Sequence, residues 1–322
     1  MARVVVLTPN PAVDVTYRVA AQVVGETVRV QTVARRAGGK GINVVRVLRQ
    51  LGVDSMALQP LGGPTGEWIR TQLVSDGIAS ISVHAPHETR TTVAVVDDVV
   101  HPTLFSESGG PLNESAWTGL LDAIRQNCEM EGFLVIAGSF PPGTTSANVM
   151  SVVSAGHDAG ALVIVDTSGI SLLAAADAGA DYITPNEGEL LEATRAGTLD
   201  EGLSDLLARG ARSVIVSRGA SGMLFASADG GRESQRGVPG VTGNPTGAGD
   251  AATAGLVFAL TTGLSPSAAL TTAAIVGAAA VLSPVAGEIR LRDLPELATQ
   301  LHEGPLPRPS RTTPFSLSNP SR

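Results

Sequence analysis

Four short stretches of this chain are apolar at every position: Val4-Val5-Val6-Leu7, Phe133-Leu134-Val135-Ile136, Ala161-Leu162-Val163-Ile164-Val165 and Val214-Ile215-Val216. A strand with one wet face alternates apolar and polar residues. An unbroken apolar run predicts a strand covered on both faces, and hence a parallel sheet between helices. Helical patterns fall between the runs. Residues 41–51 place Val44, Val45, Leu48 and Leu51 on one face. Residues 113–128 open on Asn113, a good N-cap, and carry Trp117, Leu120, Leu121 and Ile124. The alternation continues to Ser217, so the expected fold class is α/β, an open, doubly wound and mainly parallel sheet. Beyond Gly247 the pattern is helical, over 248–260, 266–282 and 294–301.

Two regions break the rhythm. Residues 13–35 contain Val13-Asp14-Val15-Thr16-Tyr17 and an alternating run over 26–33. Residues 91–107 contain Thr92-Val93-Ala94-Val95-Val96 and a short segment at Thr103-Leu104-Phe105. Alternation predicts strands with one solvated face. Four of them form a small second sheet, too thin to be stable alone. It must act as a lid over a cleft, pair with a second copy through its exposed edges, or both. The expected organisation is one domain over 1–303 with these lid strands inserted. A disordered Pro- and Ser-rich tail is expected over 304–322.

Composition narrows the function classes. Of 322 residues, 43% are hydrophobic and 16% charged, which supports a full core. A net charge of −8 repels nucleic acid and anionic membranes, while leaving room for a local basic pocket. A single cysteine, Cys128, excludes an internal disulfide and a Cys-rich zinc site, and its helical setting predicts a small buried hydrophobe. The start of the chain has no signal-peptide pattern. The apolar stretch 273–282 is about half the length of a membrane span, so a cytoplasmic protein is expected.

The strongest chemical signal is Pro245-Thr246-Gly247-Ala248-Gly249-Asp250, running into an apolar helix. Glycines let successive backbone N–H groups converge at a helix N-terminus, where the dipole favours an anion. Asp250 follows at once. The helix start is expected to keep it ionised, able to take a proton from an attacking hydroxyl. An anion hole beside a base is what hydroxyl phosphorylation requires. The same residues fit a dinucleotide fingerprint, but the preceding segment Arg232-Glu233-Ser234-Gln235-Arg236 is polar, and no strand and acid follow where that fold needs them. A Walker loop is excluded because Gly39-Lys40 is followed by Gly41. A second glycine-rich helix start, Ala37-Gly38-Gly39-Lys40-Gly41-Ile42-Asn43, adds a cation and an amide. Asp14 lies between the first buried strand and the first lid strand, where a carboxylate can accept vicinal hydroxyls. Asn186 and Glu189, three apart after the strand near Tyr182-Ile183, fit either a hydrated Mg²⁺ site or a capping box. Ser217-Arg218-Gly219-Ala220-Ser221-Gly222 fits a nucleotide clasp or a plain hairpin into Met223-Leu224-Phe225.

Taken in order, these segments resemble the ribokinase/phosphofructokinase-B family of carbohydrate kinases over roughly residues 3–300. Further matches are Thr8-Pro9-Asn10-Pro11-Ala12-Val13-Asp14, Thr89-Arg90, Gly138-Ser139-Phe140-Pro141-Pro142-Gly143 and Val165-Asp166-Thr167-Ser168-Gly169. They resemble the branch holding 1-phosphofructokinase, tagatose-6-phosphate kinase and the minor 6-phosphofructokinase. The resemblance implies a ribokinase-like fold that uses ATP and Mg²⁺. It implies Asp250 as base, with the amides of Gly247, Ala248 and Gly249 as anion hole. It places the sugar on Asp14, Gly38, Gly39, Lys40 and Asn43, with Ser139 nearby. Arg90 would meet the substrate's phosphate, joined by Arg29 from the lid. Asn186 and Glu189 would organise Mg²⁺ and the ATP phosphates. Ser217, Gly219, Gly222 and Gly249 would contact the nucleotide, with helix 273–281 bordering the adenine. The chain departs from the branch at Thr184-Pro185-Asn186, where Lys-Pro-Asn is usual, and at Asn244-Pro245 before the turn. Three cations in the pocket of an acidic protein point to a phosphorylated acceptor. The expected reaction converts fructose 1-phosphate to fructose 1,6-bisphosphate. Tagatose 6-phosphate and fructose 6-phosphate are alternative acceptors. A catalytically silent sugar-phosphate sensor is the alternative of another class.

Overall fold

The computed structural model describes residues 3–23, 25–97 and 103–301. The tail expected over 304–322 lies outside them. The chain opens with strands β1 (Val4–Leu7), β2 (Ala12–Arg18) and β3 (Thr32–Gly38), then helix α1 (Lys40–Gln50). There follow β4 (Ser55–Leu61), α2 (Gly63–Ser75), β5 (Ser80–His84), β6 (Arg90–Val96), β7 (Thr103–Ser106) and α3 (Glu114–Asn127). The middle runs β8 (Phe133–Ala137), α4 (Ser146–Asp158), β9 (Leu162–Asp166), α5 (Gly169–Asp177), β10 (Tyr182–Ile183), α6 (Glu187–Thr194) and α7 (Leu199–Arg209). The last part holds β11 (Ser213–Ser217), β12 (Met223–Ser227), β13 (Arg232–Gln235), α8 (Ala248–Thr261), α9 (Pro266–Val281) and α10 (Leu294–Gln300).

The main sheet has nine strands in the order β13-β12-β11-β10-β9-β8-β1-β4-β5. All neighbours are parallel except at the β11–β12–β13 edge. The expected double burial is visible within single strands. Val4 and Val6 join the core on one face, with α1, α8 and α9, while Val5 and Leu7 join the core on the other, with α3, α4 and α5. Phe133 and Val135 of β8 divide from Leu134 and Ile136 in the same way. From β1 the chain builds outward through β4 and β5, then returns to the other side of β1 with β8 and builds the opposite way. The strand order therefore reverses at β1, and ligands of such sheets bind beyond the strand ends at that point.

Three readings of the sequence need correction. The second lid strand is β3 at Thr32–Gly38, not the alternating run 26–33, so the lid leads directly into the Gly38-Gly39 turn. Its outer half is exposed, and pairing with β2 rather than burial fixes it. The polar segment Arg232–Gln235 is a strand, β13. It pairs antiparallel with β12 at the sheet edge, where a wet strand is tolerated, and so does not begin a dinucleotide-binding unit. The strands β4 and β5 extend the sheet beyond the four apolar runs, because Gln59 and Pro60 interrupt the first and Ser80 and Ser82 the second. The lid sheet itself has the order β3-β2-β6-β7. No helix among the described residues is long and apolar enough to cross a membrane.

Candidate active site

The parallel strands β1, β8, β9, β10 and β11 end on one edge, and Asp14, Ser139, Asp166, Asn186 and Ser217 follow at or just beyond those ends. Across this edge the starts of α1 and α8 meet. The Asn43 amide donates to the Asp250 carboxylate at 2.8 Å, closing a loop of 207 positions between two glycine-rich turns. Gly247 caps α8 with φ +81, in the left-handed region that glycine favours, and a side chain there would press on Ala286. Gly249 has open space where a side chain would stand. The turn is braced from behind. Asn244 accepts the Thr246 N–H at 3.1 Å and donates to the Pro284 carbonyl at 3.2 Å, which gives the unusual Asn244-Pro245 pair a local function.

Asp250 is only 6% exposed. Burial, joined by the negative charge of Asp166, pushes its pKa up to about 7, against the pull of the Asn43 hydrogen bond and Lys40. The expectation that the helix start keeps it simply ionised is therefore corrected: desolvation outweighs the dipole and leaves the carboxylate poised near neutrality.

Lys40 does not stand free for a sugar. Its ammonium donates to Asp166 at 2.9 Å and Glu189 at 3.5 Å. Burial pushes the ammonium down, but these two carboxylates outweigh it and hold Lys40 above its ordinary value. Asp166 is the residue whose part the sequence did not assign. It is 3% exposed, accepts from Lys40, and takes the Thr253 hydroxyl of α8 at 3.4 Å. The available signal was a carboxylate closing an apolar run at a strand's carboxyl end.

Asp14 approaches Gly38 so closely that any side chain at 38 would collide with its carboxyl group. Burial raises its pKa, opposed by Arg90, Arg46 and Arg36 and by a hydrogen bond from Gly39. Arg90 heads β6 in register with Ala12, and donates to the Asn10 carbonyl (3.1 Å), the Ser106 hydroxyl (2.8 Å) and the Glu107 carbonyl (3.0 Å). Burial lowers its pKa, and Asp14 and Glu107 oppose the shift. Ser139 is exposed just after β8, next to the glycine that packs against Lys40. Arg29 is not brought in. It is exposed beyond the far end of the β2–β3 pair, at least four register positions from Asp14, and Arg36 stands opposite Asp14 instead.

At the end of β10, Asn186 and Glu189 form a reciprocal capping box at 2.9 Å each way, and Glu189 also meets Lys40. The structural reading of their spacing is thus satisfied, and one Glu189 oxygen faces the Lys40–Asp166 pair. Ser217 pairs with Asn186 along the backbone. Gly219 and Gly222 flank a tight 3-10 turn into β12, the hairpin alternative. Beside it a small cavity is lined by Thr184, Ser217, Met223, Gly249, Thr253 and Ala273, so α9 does border this side. Cys128 is buried, with its thiol pushed up to about 12 by burial.

Known structures share this arrangement of chain. Phosphofructokinase-2 from Escherichia coli is 27% identical over 94% of this chain and all of its own, with a TM-score of 0.88 in complex with potassium and 0.84 in complex with fructose-6-phosphate. A possible 1-phosphofructokinase from Thermotoga maritima (22% identity, 92% of this chain and 98% of that one, TM-score 0.80) has the same fold. So does ribokinase from Arabidopsis thaliana with ribose and ATP (21%, 92% and 98%, 0.73). The model of the pfkB family carbohydrate kinases matches residues 7–291, and with the two glycine-rich helix starts joined as described, the chain belongs to that family.

Proposed function

We propose that the chain transfers the terminal phosphoryl group of ATP to a hydroxyl of a ketohexose phosphate, with fructose 1-phosphate as the preferred acceptor. The observation that carries this reading is the Asn43–Asp250 contact, which puts a near-neutral base at the mouth of an uncapped helix start. Asp250 takes the hydroxyl proton onto its free carboxylate oxygen, while Asn43 holds the other oxygen in place. The Ala248 N–H, expected in the anion hole, already donates to the Pro245 carbonyl at 3.1 Å, so the amides of Gly247 and Gly249 are the ones left to face the transferring group and offset its charge. Asp14 and the Gly38-Gly39 backbone orient the sugar hydroxyls. Lys40, tied to Asp166 and Glu189, is a positioned cation between the sugar and nucleotide sides.

The guanidinium of Arg90 beside Asp14 favours a phosphorylated acceptor over a free sugar, while that of Arg36 is tied to Glu288 at 2.7 Å. Arg29 serves this role only if a second copy brings its lid across. The exposed Val33, Leu104 and Phe105 on the lid strands support such a dimer. The residues fit Mg²⁺ that arrives on the nucleotide. Asn186 Oδ1 is taken up by the Glu189 N–H, which leaves the carboxylates of Glu189 and Asp166, both beside Lys40, as the candidate holders, and hydrated Mg²⁺ needs only one or two protein carboxylates alongside phosphate oxygens. When bound, it would neutralise charge on the ATP phosphates.

Fructose 6-phosphate is the second reading, favoured by the likeness to the Escherichia coli enzyme. ATP consumption measured over fructose 1-phosphate, fructose 6-phosphate, tagatose 6-phosphate, fructose and ribose tests both. The highest kcat/KM is expected with fructose 1-phosphate. A higher value with fructose 6-phosphate replaces the first reading by the second. No consumption with any acceptor leaves the sensor.

A further inference from the structure

On the flank of α1 that faces α2 lies a cavity of about 640 Å³, walled by α1, the end of α2 and the segment 283–290. Four guanidinium groups line it, Arg36, Arg46, Arg49 and Arg290, against the carboxylates of Asp76 and Glu288. The lining is thus net positive in a chain of net charge −8. It shares no residue with the candidate site as the sequence drew it.

The clustering has an energetic cost. Arg46 is 8% exposed, and burial followed by repulsion from Arg36 lowers its pKa, with Asp76 giving partial relief. Arg46 donates to the Ala37 carbonyl at 2.8 Å and to Asp76 at 3.2 Å. Arg36 meets Glu288 at 2.7 Å, Arg49 the Asp76 carbonyl at 2.7 Å, and Arg290 Asp293 at 2.8 Å. A guanidinium has five N–H donors, and these contacts use one or two of each. The remaining forks match the oxygens of a phosphate group, and the cavity lies within the ~300–1,000 Å³ range of small-molecule sites. No aromatic ring lines it for a base to stack on, so its chemistry favours a sugar bisphosphate over a nucleotide.

We propose that this cavity binds a small sugar carrying two phosphate groups, held by Arg36, Arg46, Arg49 and Arg290, at a site separate from the one where phosphoryl transfer occurs. The occupant would sit one helix away from the base. Gln50 of α1 ties the wall to the same helix, donating to the Gly287 carbonyl at 3.0 Å and accepting from the Ile289 N–H at 2.9 Å. Asn43, on that helix, packs against Gly287.

Calorimetric titration of the full chain with fructose 1,6-bisphosphate, inorganic diphosphate and ATP tests this, and it does not depend on which acceptor is phosphorylated. The bisphosphate should bind wild type in an event that weakens at least ~10-fold in R49E/R290E, while any event at the transfer site persists. Unchanged circular dichroism and basal ATP consumption establish that the variant is folded. If it is not, R49Q/R290Q replaces it, with the same direction expected. Diphosphate should show the same Arg-dependent event more weakly. Bisphosphate binding that is absent, or equal in both chains, overturns the proposal. An Arg49-dependent event with ATP alone overturns the sugar assignment in favour of a nucleotide.

Discussion

At the start of α1, every functional side chain is already engaged: Lys40 with Asp166 and Glu189, Asn43 with Asp250. At the start of α8, no side chain caps the helix, and Gly249 faces open space. Both turns use glycine to expose backbone N–H groups. One has been filled with fixed side-chain contacts, while at the other the Ala248 N–H donates only to the Pro245 carbonyl of its own turn, at 3.1 Å, and Gly249 stays open. In the proposed reaction the first positions groups and the second receives an anion. The contrast also explains why one carboxylate is near neutrality. Asp250 belongs to the bare helix but is buried by the filled one, and its hydrogen bond from Asn43 does not fully offset that burial.

The sharpest way to break this contrast is Asp250→Asn. It should lower kcat by ~10³–10⁴-fold, with acceptor binding by calorimetry changed less than ~3-fold. If instead binding collapses and kcat survives, α8 holds substrate rather than activating it. Gly247→Ala should cost on the order of 10²-fold in kcat/KM and ~1–3 kcal/mol in urea-unfolding stability, since its φ is +81 and Ala286 blocks the added methyl. Asn43→Ala should lower kcat by about 10–100-fold, the worth of a hydrogen bond to a charged group. It carries a second signature. The wild-type kcat/KM should rise with pH through about 7 as Asp250 ionises, and loss of the Asn43 donor should move that limb to higher pH. An unmoved limb would mean that α1 does not tune the base. Arg90→Ala should raise KM for the sugar phosphate by roughly 10–30-fold and leave KM for ATP within about 2-fold.

The smallest expected effect is thermodynamic. Asp250 has a folded pKa of about 7 against an ordinary 3.8, so the native state binds the proton more tightly than the unfolded chain. Stability is therefore lost as pH rises from about 4 through 7. Asp250→Asn should raise Tm by a few degrees (~2–5 °C) at pH 8 relative to wild type and by little at pH 4. An equal gain at both would assign the effect to packing.

Much of the fold was legible because burial on two faces erases alternation. Val4–Leu7 and Phe133–Ala137 declare their place in the sheet by composition alone. Residues 26–30 alternate like a strand yet lie outside the β2–β3 ladder, which begins at Thr32 opposite Arg18, and strand pairing is a tertiary fact that periodicity does not carry. The glycine turns of the site were legible for the same reason as the buried strands, since few backbones require such residues. The wiring between them was not. That Asn43 holds Asp250 while Lys40 holds Asp166 depends on side-chain reach across the switch point, and no local spacing records it. Which arginine stands opposite Asp14 was not legible, because lid strands read alike at both ends and only the register puts Arg36 there.

The bond between positions 43 and 250 also has a consequence during synthesis. A ribosome that has released the first two hundred residues has produced Asn43 and the lid, but not Asp250. The proposed centre is complete only when the two distant turns close on each other, so turnover through it would report that the whole chain has folded.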